Sequence, residues 1–216
     1  KLNYTENCLT RNDNSIAIIS YTENKKRYVY SWKKLRENVF KVSYFFKTKN
    51  ITEGDRIAAI LPNFAETVVS FLATAQIGAI WSSCSPDFGV KTVLDRFGQI
   101  KPKLLFFTNG YQYNGKIINC VKNVRKIINM LPSLKHSIMI NHYDNHNYEH
   151  SLNWDDIISL SNSENIHFEH LPFDHPLYIM YSSGTTGEPK SIVHSAGGTL
   201  IQHIKELQLH TNLKRD

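Results

Sequence analysis

From Asp55 onward, short apolar runs alternate with segments whose apolar residues return every three or four positions, and this rhythm restricts the fold more than any other feature. The runs RIAAIL at 56–61, AIWSS at 79–83, KLLFFT at 103–108 and SIMI at 137–140 have the length of strands. Between them, Asn63 and Glu66 form an N-cap pair ahead of the apolar stripe Phe64, Val68, Leu72 and Ala75. Val90, Val93, Leu94 and Phe97 make a second stripe, and Ile117, Val121, Val124, Ile128 and Leu131 a third. Strand–helix–strand alternation calls for right-handed crossovers. The expected class is therefore α/β, a largely parallel sheet with helices on both faces.

Residues 1–50 read differently. The runs IAIIS at 16–20 and RYVY at 27–30, separated by polar Asn24 and Lys25, predict a hairpin. Ser31 then caps a helix carrying Trp32, Leu35, Val39, Val42 and Phe46 on one face. Near the other end, residues 141–153 (NHYDNHNYEHSLN) interrupt the alternation and predict a surface loop before a short helix at 154–160. His142, His146 and His150 are four apart, but the residues between them are poor helix formers and no cysteine or carboxylate ladder completes a shell. No metal site is expected from these residues.

Composition excludes several classes. With 41% hydrophobic and 20% charged residues the chain is expected to fold as a soluble protein. Its longest apolar stretch, Phe64 to Trp81, contains Glu66, Gln76 and Gly78 and splits into a helix and a strand, so no membrane anchor is expected. The net charge of +6 is spread along the chain. Its one local cluster, Lys116, Lys122, Arg125 and Lys126, falls on a single predicted helix, where a solvated face is favoured over nucleic-acid binding. Cys8, Cys84 and Cys120 are odd in number and irregular in spacing, which suits reduced thiols in the cytosol. Asn3-Tyr4-Thr5 matches a glycosylation triplet that no secretory signal supports. The chain opens at Lys1 and stops at Asp216 in a charged, helix-compatible stretch, and both ends read as cut. Nothing here specifies an oligomeric state.

The chemistry concentrates in YSSGTTGEPK at 181–190, which follows the strand HPLYIMY at 175–181 and precedes the apolar IVH at 192–194. Ligands of such sheets bind beyond strand carboxyl ends, where this loop is expected. Gly184 and Gly187 permit positive backbone angles and close approach of amides, Ser182, Ser183, Thr185 and Thr186 offer hydroxyl donors, and Lys190 adds a cation held after Pro189. Donors and a cation without a carboxylate cluster suit a polyphosphate. A Walker A loop would need glycine where Pro189 stands, and G-x-x-G alone is no dinucleotide fingerprint. A flexible linker rarely puts Pro-Lys after such a loop and then resumes an apolar strand.

This loop resembles the phosphate-binding signature of the acyl-adenylating enzymes, the family of acyl-CoA synthetases, luciferases and peptide-synthetase adenylation domains. The stretches GAIWSSCSPDFGVKTVLDRFGQIKPKLLF at 78–106 and HSAGGTLIQHIKELQLH at 194–210 resemble the acetoacetate-activating branch of its acyl-CoA synthetases. The resemblance covers nearly the whole chain, least well at 141–165. It implies an incomplete N-terminal AMP-binding domain over 1–216, with a leading hairpin and helix at 1–50, and alternating β/α units with the phosphate loop at 181–191. It further implies ATP, Mg2+ and CoA as reactants beside acetoacetate, with a catalytic lysine and the adenine-binding motifs beyond Asp216. Ser182, Ser183, Gly184, Thr185, Thr186, Gly187 and Lys190 would contact the ATP phosphates through hydroxyls, amides and charge. WSSCSP at 81–86 and YQYNGK at 111–116 match segments near CoA, with Ser82 and Ser83 where relatives often carry glycine and Lys116 where they carry arginine. Ser191 replaces a glycine of many relatives. Cys84 is expected to be a core residue, and His194 and His203 structural. Two alternatives are a non-catalytic nucleotide-binding module and a ligase for another short acid such as acetate.

Overall fold

The computed structural model describes residues 1–23, 25–143, 151–160, 167–182 and 187–214. The chain begins with α1 (Tyr4–Cys8), the antiparallel hairpin β1 (Ile16–Tyr21) and β2 (Arg27–Ser31), and the long helix α2 (Trp32–Thr48). Alternation follows as β3 (Arg56–Ile60), α3 (Ala65–Gln76), β4 (Ile80–Cys84), α4 (Val90–Ile100) and β5 (Leu104–Thr108). A second hairpin, β6 (Gly110–Tyr113) with β7 (Lys116–Asn119), leads to α5 (Val121–Met130) and β8 (His136–Ile140). The remainder is β9 (Leu152–Asn153), α6 (Trp154–Ile158), β10 (Pro176–Tyr181), β11 (Ser191–Ser195) and α7 (Ala196–Lys205), extended by a π-helical turn over Glu206–His210.

The main sheet has seven strands in the order β11-β10-β4-β3-β5-β8-β9, all neighbours parallel except β10 and β11. From central β3 the chain steps to β4 on one side, then back across to β5 on the other. Right-handed crossovers in opposite directions place their helices on opposite faces. The packing agrees. Ile57, Ala59, Trp81, Leu104, Phe106 and Ile138 pack with residues of α2, α3 and α6, while Ala58, Ile60, Ile80, Leu105, Phe107 and Met139 pack with α4 and α5. Neighbours such as Phe106 and Phe107 are therefore both fully buried, which explains the lack of polar alternation in these runs. The expected α/β class with helices on both faces is the observed one.

Local chemistry sets most boundaries. Ser31 caps α2 as expected, its hydroxyl accepting from Lys34 N at 3.2 Å. Gly78 ends the α3 region with φ +74°, and a Cβ there would stand 2.8 Å from Leu171 Cδ1. Asn3 is 1% exposed: its amide donates to the carbonyls of Ala75, Gln76 and Glu169, and its oxygen accepts from Glu6 N. The glycosylation triplet is thus a buried structural asparagine. No described helix is long and apolar enough to cross a membrane, and Phe64 to Trp81 divides into α3 and β4.

Two expectations fail. Asn63 does not cap α3; the cap position is Phe64, without a side-chain bond, because the Pro62 carbonyl takes Phe64 N (2.8 Å) and Thr67 Oγ1 (2.7 Å) and delays the helix. Glu66 instead accepts from Tyr30 Oη at 3.0 Å and faces His142 Nε2 at 3.6 Å, tying β2, α3 and the loop after β8 together. The third stripe is also too long. Ile117 and Lys116 lie on β7, not on a helix, because Asn114 and Gly115 both take positive φ (48° and 74°) and turn the chain in a two-residue hairpin. Lys116 is accordingly separated from Lys122, Arg125 and Lys126 of α5.

Asn109, 3% exposed, organises the rim beyond β5. Its side chain donates to Asn141 Oδ1 and to the Tyr143 carbonyl (3.0 Å), and accepts from His142 N (3.1 Å) and Tyr143 N (3.3 Å). Its carbonyl accepts from Cys120 N at 2.9 Å. Removing the side chain breaks four part-buried hydrogen bonds, so Asn109→Ala is expected to cost about 2–3 kcal/mol in urea denaturation.

Burial raises the Glu66 carboxyl, but the facing His142, the residue's own backbone amide and the Tyr30 hydroxyl outweigh it and hold the group below the ordinary carboxylate value. A depressed folded value stabilises above the unfolded value of about 4.3 and ceases to do so as pH falls through the lower folded value. Glu66→Gln should therefore be less stable than the parent near neutral pH, with the difference shrinking between about pH 5 and 3. Denaturation midpoints across that range measure it.

Candidate functional site

The loop of interest springs from the carboxyl end of β10. Because β10 and β11 are antiparallel, Tyr181 pairs with Ser191 and the loop leaves and re-enters the sheet at one point. Its neck is closed by Ser182 N donating to the Lys190 carbonyl at 3.1 Å. The Ser182 amide is thus committed to the neck, a correction to the expectation that amides from 182 onward face a phosphate; its hydroxyl remains the candidate donor. Ser183, Gly184, Thr185 and Thr186 lie outside the described residues. Gly187 has φ +124°, and a Cβ added to it would meet nothing within 4 Å, so backbone conformation rather than space demands glycine there. Lys190 immediately precedes β11.

The ends of β3, β4 and β6 line an open cavity of about 840 Å³. Its lining includes Leu61 and Phe64, Ser83, Ser85 and Asp87, and Tyr111, Gln112 and Tyr113. A second cavity of about 410 Å³ between β4 and β10 shares Ser83, Cys84 and Ser85 with the first and reaches Arg96, Tyr178 and Tyr181. WSSCSP and YQYNGK, far apart in sequence, are brought to one cavity. The leading hairpin joins them: the Glu23 carboxylate accepts from Asn114 N (2.6 Å) and Gly115 N (3.0 Å). Lys116 pairs with Tyr113 across the turn and is exposed, but is not among the residues lining either cavity.

Other candidates prove structural. Ser82 donates to the Ile179 carbonyl at 2.9 Å and locks β4 to β10, while Ser83 faces the cavities. Trp81 packs edge-on against Phe71 in the core. Burial pushes the Cys84 thiol up to about 12, with Arg96 opposing weakly, so it is no thiolate nucleophile at neutral pH. Burial likewise lifts Cys120 to about 11. His203 Nδ1 is hydrogen-bonded to the Tyr4 hydroxyl at 2.8 Å, and the His194 ring lies 4.9 Å from that of Tyr178. Of the three spaced histidines, His142 lies against Phe64 with ring centroids 3.7 Å apart, and His146 and His150 lie outside the described residues. Among the described residues no group of three or more His, Cys, Asp or Glu side chains could hold a metal ion.

The segment YQYNGK was read from the sequence as lying near CoA, but with Lys116 and not the tyrosines singled out, and the supports Asn109 and Glu23 went unnoticed. The Asn-Gly pair at 114–115 between short runs was the available signal for the hairpin. No local signal marks Asn109 or Glu23, whose partners are distant in the chain.

Comparison with known proteins adds independent findings. A model of the family described as AMP-binding enzyme matches residues 5–216. An acetoacetyl-coenzyme A synthetase of Rhizobium meliloti (strain 1021) is 45% identical over 220 residues, covering 99% of this chain and 33% of that protein. An acetoacetyl-CoA synthetase of Macaca fascicularis is 43% identical over 224 residues, again 99% of this chain and 33% of the relative. The solved acetoacetyl-CoA synthetase of Streptomyces lividans superposes with a TM-score of 0.93 at 39% identity, covering 98% of this chain and 33% of that one. The chain spans about a third of the length of the curated relatives it matches. Matched from Thr5 to its last residue and sharing its fold with a solved synthetase at that level of similarity, the chain belongs to the AMP-binding enzyme family.

Proposed function

We propose that this chain carries the nucleotide-phosphate clamp of an ATP-dependent acid–thiol ligase that joins acetoacetate to CoA. The carrying observation is the loop at 181–191, pinched by the Ser182–Lys190 bond at the end of β10, with its neck residue Tyr181 lining the cavity between β4 and β10. The names of the relatives support the acid and the thiol.

In the first half-reaction an acetoacetate oxygen attacks the α-phosphorus of ATP, forming acetoacetyl-adenylate as the bond to the bridging oxygen breaks and pyrophosphate leaves. Negative charge grows on that leaving group. The hydroxyls of Ser182, Ser183, Thr185 and Thr186, the amides of the loop from Ser183 to Gly187, and the Lys190 ammonium are the groups proposed to meet it. Donors preorganised in a loop cost no rearrangement when the charge develops. In the second half-reaction the CoA thiol attacks the acyl carbonyl and AMP leaves with the bonding electrons. The cavity walled by Tyr111, Gln112 and Tyr113 is proposed as part of the route for CoA, with Lys116 at its outer hairpin as a phosphate contact. Magnesium would enter with ATP, since the described residues offer it no ligand cluster. Three free cysteines suit a cytosolic setting.

We further propose that the 216-residue chain alone does not complete the reaction. Met180, Ile192, Val193, Ile201 and Ile204 leave an apolar strip in solvent around β11 and α7.

In the full-length gene product, Thr185→Ala with Thr186→Ala is expected to lower acetoacetate-dependent ATP–pyrophosphate exchange at least about a hundredfold. Unchanged exchange would remove the clamp assignment. Equal exchange with acetate would redirect the reading to another short acid. The 216-residue chain, incubated with ATP and acetoacetate, is expected to release no pyrophosphate.

A further inference from the structure

Helix α4 presents Arg96 and Gln99, three residues apart and hence on one face, to the two limbs of the loop. On the entering limb, Tyr181 Oη donates to the Arg96 carbonyl at 3.1 Å, and the Arg96 guanidinium lies 5.7 Å from the centroid of the Tyr181 ring and 5.2 Å from that of Phe88. On the leaving limb, Gln99 uses both ends of its carboxamide. Its Nε2 donates to the Pro189 carbonyl at 2.8 Å, and its Oε1 accepts from the Ser191 hydroxyl at 2.8 Å. The same Nε2 donates to the Asp95 carbonyl at 2.6 Å, one helical turn back, which orients the amide.

These contacts bracket one residue. Lys190 stands between Pro189 and Ser191, and its own carbonyl is taken by Ser182 N. Its backbone is therefore held on both sides by Gln99 and from across the neck by Ser182, while Pro189 restricts the angle by which the chain reaches it. A long cationic side chain has large rotamer freedom, and a fixed backbone is the part of its placement the fold can supply in advance. Ser191 contributes as well, because a residue without a side chain there would offer Gln99 Oε1 nothing to accept from.

We propose that Gln99 is a positioning residue for Lys190, acting through Pro189 and Ser191 to hold the lysine's backbone where its ammonium meets the polyphosphate of the nucleotide. This rests on the proposed function, in which Lys190 contacts that polyphosphate. Gln99 touches no substrate.

The test is a double-mutant cycle in the full-length gene product, reading KM for ATP and kcat in acetoacetate-dependent pyrophosphate exchange. Gln99→Ala should raise KM for ATP about fivefold, the scale of two solvent-facing hydrogen bonds, and lower kcat too, since the lysine also meets the charge growing on pyrophosphate. Ser191→Ala, which removes one of the two bonds, should give a smaller rise in the same direction. In a Lys190→Met background, Gln99→Ala should have no further effect. An unchanged KM in Gln99→Ala, beside a raised one in Lys190→Met, overturns the inference and leaves the function standing. Equal rises in both backgrounds overturn it too, since Gln99 would then act on the loop without the lysine. No effect of Lys190→Met itself overturns the assignment of Lys190 and the inference with it. Gln99 is exposed, so thermal melting of the variants should match the parent and separate positioning from damage to the fold.

Discussion

Burial of the central strands from both sides is the constraint on which the rest of the molecule depends. Once Ile57 and Ala59 face α2 and α3 while Ala58 and Ile60 face α4 and α5, no strand residue can be polar without a partner inside the protein. Polar groups are thereby driven to the strand ends. At or just beyond the carboxyl ends stand Ser83, Ser85, Asn109 and Ser182, near the candidate site. The reversal of direction between β4 and β5 opens the sheet at that end, so the cavity follows from topology more than from any one side chain.

The walls of that cavity are irregular segments, and each is fastened by a group that reaches across the chain. Glu23 of the first hairpin holds the turn of the second. Asn109 holds the segment after β8, and Glu66 joins that segment to β2 and α3. Loops built this way gain their order from a few hydrogen bonds with long sequence separation, not from apolar packing. The loop at 181–191 follows the same pattern, its two limbs held by one face of α4.

How much of this was legible varied with distance along the chain. The strands, the α/β class and the Ser31 cap could be read because each depends on residues within a turn or a strand length of one another. The reading of 117–131 as one helix failed since helical spacing from Ile117 to Val121 also fits a strand leading into a helix, and the Asn-Gly turn that decides the matter lies just before it. Asn63 failed as a cap for a similar reason: a polar residue near a helix start is a signal, but the Pro62 carbonyl, by taking the Phe64 amide and the Thr67 hydroxyl, moves the start one residue on. Cys84 was read as a core residue for want of a base partner in the sequence, and its burial on β4 agrees.

The sequence by itself determined the periods, the crossovers they require, the loop that joins glycine, hydroxyls and lysine, and the family resemblance that those residues carry. These are local or repeated properties, and local sterics and hydrophobic spacing suffice to express them. Only the tertiary structure decided that WSSCSP and YQYNGK share a cavity, that Lys116 sits on a hairpin outside its lining, and that the Ser182 amide closes the loop's neck. Those outcomes depend on which distant segments meet, and that is settled by the packing of two helical layers on one sheet, a global balance that no short window of residues contains.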